Sequence, residues 1–132
     1  MGVIIHKELS YQICKLLFKT HNDLGRFRNE KQYADYFEKL LITEGIKYQR
    51  EYNFIDQKSV NKKIRCKVDF LIDNIIIVEF KAKNFITKND YYQTQRYLNT
   101  LNLELAIIVN FRQYRLAPKR VLNSHFKFGA FG

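Results

Sequence analysis

Apolar positions along the chain recur first with a helical period and then with a strand period. Between His6 and Thr20, Leu9, Ile13, Leu16 and Leu17 return every three or four residues and predict a helix. Gly25, after His21-Asn22-Asp23-Leu24, is placed to stop it in a left-handed conformation. A second stripe of Tyr33, Ala34, Phe37, Leu40 and Leu41 predicts a helix from about Asn29 to Glu44, with Asn29 as its cap and Gly45 at its end. Glu30 precedes Tyr33, Ala34 and Phe37 at helical spacing, so it falls on the core side of that helix. Ile46 to Ile55 and Lys62 to Ile72 read as strands separated by the polar stretch Asp56-Gln57-Lys58-Ser59. Ile75 to Lys81 is a continuous apolar run, the pattern of a central strand. Thr87-Lys88-Asn89-Asp90 opens a helix whose periodicity covers Tyr91 to Leu101, Leu105 to Phe111 is a second buried strand, and Tyr114 to Leu122 is one further element. With no repeat, no low-complexity tract and Pro118 as the only proline, residues 1–132 read as one domain, ending in a loose tail from about residue 124.

The chemistry gathers where the third strand ends. In Ile75-Ile76-Ile77-Val78-Glu79-Phe80-Lys81, two opposite charges stand two residues apart, and strand alternation puts both on one face. Asp69 lies ten residues before Glu79, across Asp73-Asn74. An odd-length turn centred on Asn74 would set the two carboxylates opposite each other, whereas a two-residue turn at Asp73-Asn74 would send them to opposite faces. Two carboxylates at the end of a buried strand repel and are costly to desolvate, so a hard divalent cation is the natural partner. Asp69, Glu79 and the carbonyl of Phe80 offer Mg²⁺ or Mn²⁺ an oxygen donor set with room for water and phosphate. Lys81 would orient the attacking water or stabilise developing negative charge. On the next helix, Gln93 and Tyr97 share a face, and Gln93 could hydrogen-bond a metal-bound water or a nucleotide.

Composition sharpens the choice of partner. The 23 Lys and Arg against 13 Asp and Glu leave a net charge of +10, which attracts polyanions and makes nucleic acid the first candidate. A 46% apolar chain is rich enough for a packed core. The scattered His6, His21 and His125 and the isolated Cys14 and Cys66 lack metal-ligand spacing, which argues against a zinc site. No long apolar segment suggests a leader or membrane span, so the expected location is cytoplasmic.

The order of these residues resembles the PD-(D/E)XK nuclease superfamily, in its RecB-like branch. Glu30, Asp69, Glu79, Lys81, Gln93 and Tyr97 match its helix Glu, Asp strand, E-x-K strand and Q-x-x-x-Y helix. More closely, the chain is similar to the small GxxExxY proteins in His21 to Gly25, Glu30 to Tyr33, Val68-Asp69-Phe70-Leu71, Val78-Glu79-Phe80-Lys81-Ala82, Gln93 to Leu98 and Val109-Asn110-Phe111. Phe27 stands where that motif has its glycine. The resemblance implies an α/β fold with a restriction-endonuclease-like core, a central mixed β-sheet flanked by α-helices, and a Mg²⁺-dependent nuclease.

The expected activity is therefore hydrolysis of phosphodiester bonds, in DNA rather than RNA. Asp69 and Glu79 serve as metal ligands with Phe80, Lys81 acts beside the water, and Glu30 and Gln93 support them. The alternatives are a nucleic-acid-binding module that does not cleave and an interaction subunit of a larger assembly. A homodimer would supply the two sites needed to cut both strands together.

Overall fold

A computed structural model describes residues 4–57 and 63–126. Lys58 and Ser59 of the polar stretch, the expected strand start at Lys62 and most of the expected tail lie outside the described residues. The elements run α1 (Lys7–Leu24), α2 (Glu30–Thr43), β1 (Tyr48–Asp56), β2 (Ile64–Ile72), β3 (Ile76–Lys81), α3 (Lys88–Leu101), β4 (Leu105–Asn110) and β5 (Lys119–Leu122).

Local signals set the helix ends. α1 continues through His21 to Leu24, one turn beyond its last apolar pair, and stops where Gly25 takes φ 79°. At α2 the Asn29 side chain accepts from the Gln32 amide while Gln32 returns a bond to the Asn29 amide, a reciprocal cap that satisfies two otherwise unpaired donors. Thr87 and Asp90 form the same box at the start of α3.

The five strands form one mixed sheet in the order β1-β2-β3-β4-β5. β1, β2 and β3 form an antiparallel meander, β3 pairs parallel with β4 through the α3 crossover, and β5 returns antiparallel on β4. β3 is thus the central strand, and both it and β4 are buried almost throughout. The helices cover both faces. Ile13, Leu17, Tyr33, Phe37 and Leu41 of α1 and α2 pack with Phe70, Ile72, Val78, Phe80, Ile107 and Val109. Tyr97 and Leu98 of α3 pack with Val68, Leu71, Ile77, Ala106 and Ile108 on the other side. The result is a three-layer α/β core of the restriction-endonuclease-like kind.

Strand alternation fails at one place. Tyr48 and Arg50 lie on the α2 side, with Tyr48 Oη bonded to Glu38 and Arg50 paired with Asp35 and Glu38. Tyr52 and Phe54, in step with them along β1, instead belong to the α3-side cluster. β2 does the same: Val68 packs on the α3 side and Phe70 on the α2 side. The exchange falls where Glu51 and Asp69 would face each other. The β1–β2 pairing skips that position, and Glu51 sits at φ 52°. A left-handed glutamate is an uncommon and strained conformation.

Candidate active site

Asp69 owes its direction to that pivot. The β2–β3 register pairs Phe70 with Val78, Leu71 with Ile77 and Ile72 with Ile76, leaving Asp73, Asn74 and Ile75 as an odd-length turn. Asp73 and Asn74 adopt φ 50° and 60°, conformations that Asn and Asp tolerate better than other side-chain-bearing residues. The turn is therefore the form centred on Asn74, and Asp69 comes opposite Glu79. Beyond Phe70 and Val78 the side chains take over the ladder. The Asp69 amide donates to Glu79 Oε1 at 3.2 Å, and the Phe80 amide donates to Asp69 Oδ2 at 2.7 Å. Asp69 thus reaches across toward β3 within the sheet.

The neighbourhood is dry and electrically unbalanced. Glu79 is only 6% exposed. Burial, and then the charge of Asp69, push the Glu79 carboxyl well above its ordinary range, so it holds a proton where an exposed Glu would not. Burial also raises Asp69, although the Phe80 amide and the charges of Lys81 and Lys67 oppose the rise. Glu30, the first residue of α2, is solvent-accessible rather than on the core side. Its carboxylate accepts from the Ala82 amide, and partial desolvation and the nearby Asp69 raise it. Lys81 follows Glu79 on the same strand face, and its Nζ lies 3.8 Å from Asp90 Oδ1.

A cleft of about 510 Å³ opens beside these groups, lined among others by Glu30, Arg50, Lys67, Asp69 and Phe80. The Phe80 ring packs into the core against Phe37, Phe70 and Phe111, so its main chain is what meets the cleft. A strand residue points its N–H and C=O to the same side, and the Phe80 N–H already points at Asp69, so its carbonyl is aimed there too.

Asp69, Glu79 and the Phe80 carbonyl therefore form an all-oxygen donor set suited to a hard divalent ion. A buried and a half-buried carboxyl, both raised by desolvation, are what a cation would relieve, while Lys81 makes its ion pair with Asp90. Among the described residues no three Asp, Glu, His or Cys side chains make a ready cage, so carbonyl and water would complete the coordination.

The remaining sequence candidates separate. Gln93 is exposed near the start of α3, and its side chain makes no hydrogen bond to a described residue. Tyr97 is buried edge-on against Phe54, and its hydroxyl is raised by burial and then by the charge of Glu79. Two residues were not anticipated. Asp90 binds Lys83 Nζ at 2.6 Å as well as Lys81, and the Lys83 bond and the Thr87 cap outweigh its own desolvation to hold its carboxyl low. Its signal was available in the T-x-x-D spacing of a helix cap. Asn110, 1% exposed at the end of β4, accepts from the Lys83 and Arg112 amides and donates to the Lys83 carbonyl. A lone buried Asn at a strand end carries no such local signal, and Asn110 stands out in sequence only within the Val109-Asn110-Phe111 stretch of the resemblance.

The topology, the paired carboxylates and the E-x-K strand together define a nuclease-type core. A profile of the PD-(D/E)XK nuclease superfamily matches residues 7–121, and the chain belongs to that superfamily. Its members are usually nucleases and generally use divalent metal ions. Among solved structures, the chain is similar to one described as "Crystal structure of SSO0001", with a TM-score of 0.57 at 17% identity over 83% of this chain. At that identity the likeness concerns the fold, and the chain spans 65% of that structure's length. No protein of curated function matches. Among the described residues no helix is long and apolar enough to cross a membrane.

Proposed function

We propose that this chain is a Mg²⁺- or Mn²⁺-dependent deoxyribonuclease of the RecB-like branch, close to the GxxExxY proteins, acting as a single cytoplasmic domain. The observation that carries the reading is the Asp69–Glu79 pair, each carboxylate locked by a main-chain amide at the end of the central strand, with a cleft alongside. Asp69, Glu79 and the Phe80 carbonyl would hold the ion, which when bound would supply an acidified water and neutralise charge on the attacked phosphate. Lys81 presents an ammonium to the water or the scissile phosphate, and Asp90 fixes where that ammonium sits. Glu30, tied to the Ala82 amide, borders the cleft and would help to orient water beside Asp69. Gln93, with an uncommitted side-chain amide, would contact a water at the site or a nucleotide.

The net charge of +10 favours a polyanionic substrate. The test incubates linear, nicked, single-stranded and circular DNA, and RNA, with and without Mn²⁺, beside Lys81→Ala. Metal-dependent DNA cleavage lost in the variant supports the reading. Equal residual cleavage by both proteins overturns it and leaves a module that binds nucleic acid without cutting. Sedimentation in the presence of duplex DNA tests whether two copies assemble to cut both strands.

A further inference from the structure

The loop from α1 to α2 carries an arrangement that the carboxylate site does not use. Arg26 Nε donates to the Arg112 carbonyl at 3.0 Å, and Arg112 Nε donates to the Arg26 carbonyl at 2.9 Å. This reciprocal pair fastens the α1–α2 loop to the turn after β4. Both guanidiniums lie against the ring of Phe27, at 4.9 and 6.0 Å from its centroid. Phe27 as a residue is 78% exposed.

The mount is rigid. Tyr33 Oη donates to the Gly25 carbonyl at 2.6 Å and accepts from the Arg28 amide at 3.2 Å, and its ring stacks on Phe111 at 4.1 Å. Asn110 holds the Arg112 amide from below and ties it to Lys83, two residues beyond Lys81. On the other side, Phe27 lies three residues before Glu30 at the cleft. The stack is thus joined to residues of the site through both chain segments. Neither arginine makes an ion pair among the described residues, so their charge is not spent within the fold. An exposed ring contributes little to the core, yet three side chains and two loops are arranged around it.

We infer that the Arg26–Phe27–Arg112 stack is a docking platform for an unpaired stretch of the DNA strand. A base stacks on the exposed part of Phe27 that the guanidiniums leave open, while their Nη groups take the flanking phosphates. The inference rests on the proposed deoxyribonuclease reading and adds the form of substrate. In a duplex each base face is covered by its neighbours and offers the ring nothing, whereas phosphate contacts alone would serve both forms equally.

The test measures binding without cleavage, by anisotropy of a labelled 15-nucleotide single strand and of a blunt duplex, in EDTA at fixed salt. The wild type should prefer the single strand. Phe27→Ala should weaken single-strand binding about 5- to 150-fold, the range for losing one base stack, and change duplex binding less than twofold. Phe27→Tyr, which keeps the ring, should bind as wild type does. Arg112→Ala should lower the slope of log affinity against log salt by about one. Unchanged single-strand affinity in Phe27→Ala, or equal losses on both DNA forms, overturns the platform. The two readings fail separately: loss of stacking with no cleavage by the wild type leaves the platform and removes the nuclease. Cleavage with Phe27→Ala binding normally does the reverse.

Discussion

Replacing Glu79 with Gln should make the metal-free protein more stable at neutral pH. Glutamine keeps the shape of the side chain, its carbonyl can still accept from the Asp69 amide, and its amide nitrogen can donate to the Asp69 carboxylate. What disappears is a second negative charge in a buried pair. Two unit charges about 4 Å apart at an effective dielectric near 20 repel by roughly 4 kcal/mol. Part of that cost is already avoided because burial keeps Glu79 protonated beyond the ordinary carboxylate range. A net gain of about 1–3 kcal/mol remains, which for a domain of this size is a rise in Tm of roughly 3 °C or more. The pH dependence follows from the direction of the shift. A carboxyl raised in the folded state contributes stability that is fully present below its unfolded pKa and is lost as pH rises through the folded value. The advantage of the variant should therefore vanish near pH 4 and open above the ordinary glutamate range. A divalent ion should invert the order, since at a hundred times its Kd it stabilises the wild type by about 2.7 kcal/mol and the variant far less. Thermal unfolding in EDTA and in Mn²⁺, at pH 4 and 7.5, measures all of this. A variant that melts at or below the wild type in EDTA at pH 7.5 would refute the account of an uncompensated carboxylate pair.

Other outcomes follow from the same geometry. Metal affinity, measured by calorimetry or Mn²⁺ relaxation, should fall as pH drops through a value above the usual carboxylate range, because Asp69 and Glu79 must lose protons to bind. Asn110→Ala leaves main-chain groups of Lys83 and Arg112 without partners and should cost about 2–4 kcal/mol in denaturant unfolding. Gly25→Ala should cost about 1–3 kcal/mol through backbone strain alone, since Gly25 lies at φ 79°, ψ −163° and an added Cβ meets nothing within 4 Å. Phe37→Ala empties a site in contact with Phe70 and Phe80 and should cost about 3–5 kcal/mol, with Tm as the readout.

The helices and central strands were legible because their signals are local. Asn29 and Thr87 cap where the sequence places caps, Gly25 and Gly45 take positive φ, and the runs ending at Lys81 and Asn110 are buried on both faces. The Asp69–Glu79 pairing was legible only as one of two turn forms, and the left-handed Asp73 and Asn74 show which form is present. The face exchange at Glu51 and Asp69 was not legible, since no propensity marks a glutamate for positive φ; the tertiary demands of two strands impose it. Helical spacing predicts Glu30 on the core side. In the structure its position at the first residue of α2, where the helix has barely begun, lets the side chain turn to the Ala82 amide instead.

The Glu51 pivot also shapes how this molecule meets others. β1 is an edge strand, and a long flat edge invites another chain to add to the sheet. The pivot divides that edge into two short runs, Tyr48–Arg50 and Tyr52–Asp56, that present opposite faces. An incoming strand in register with one run would meet the other turned over. The distortion that aims Asp69 at β3 thereby makes the open edge selective: a strand pairing along all of β1 would have to make the same exchange that β2 makes on its other side.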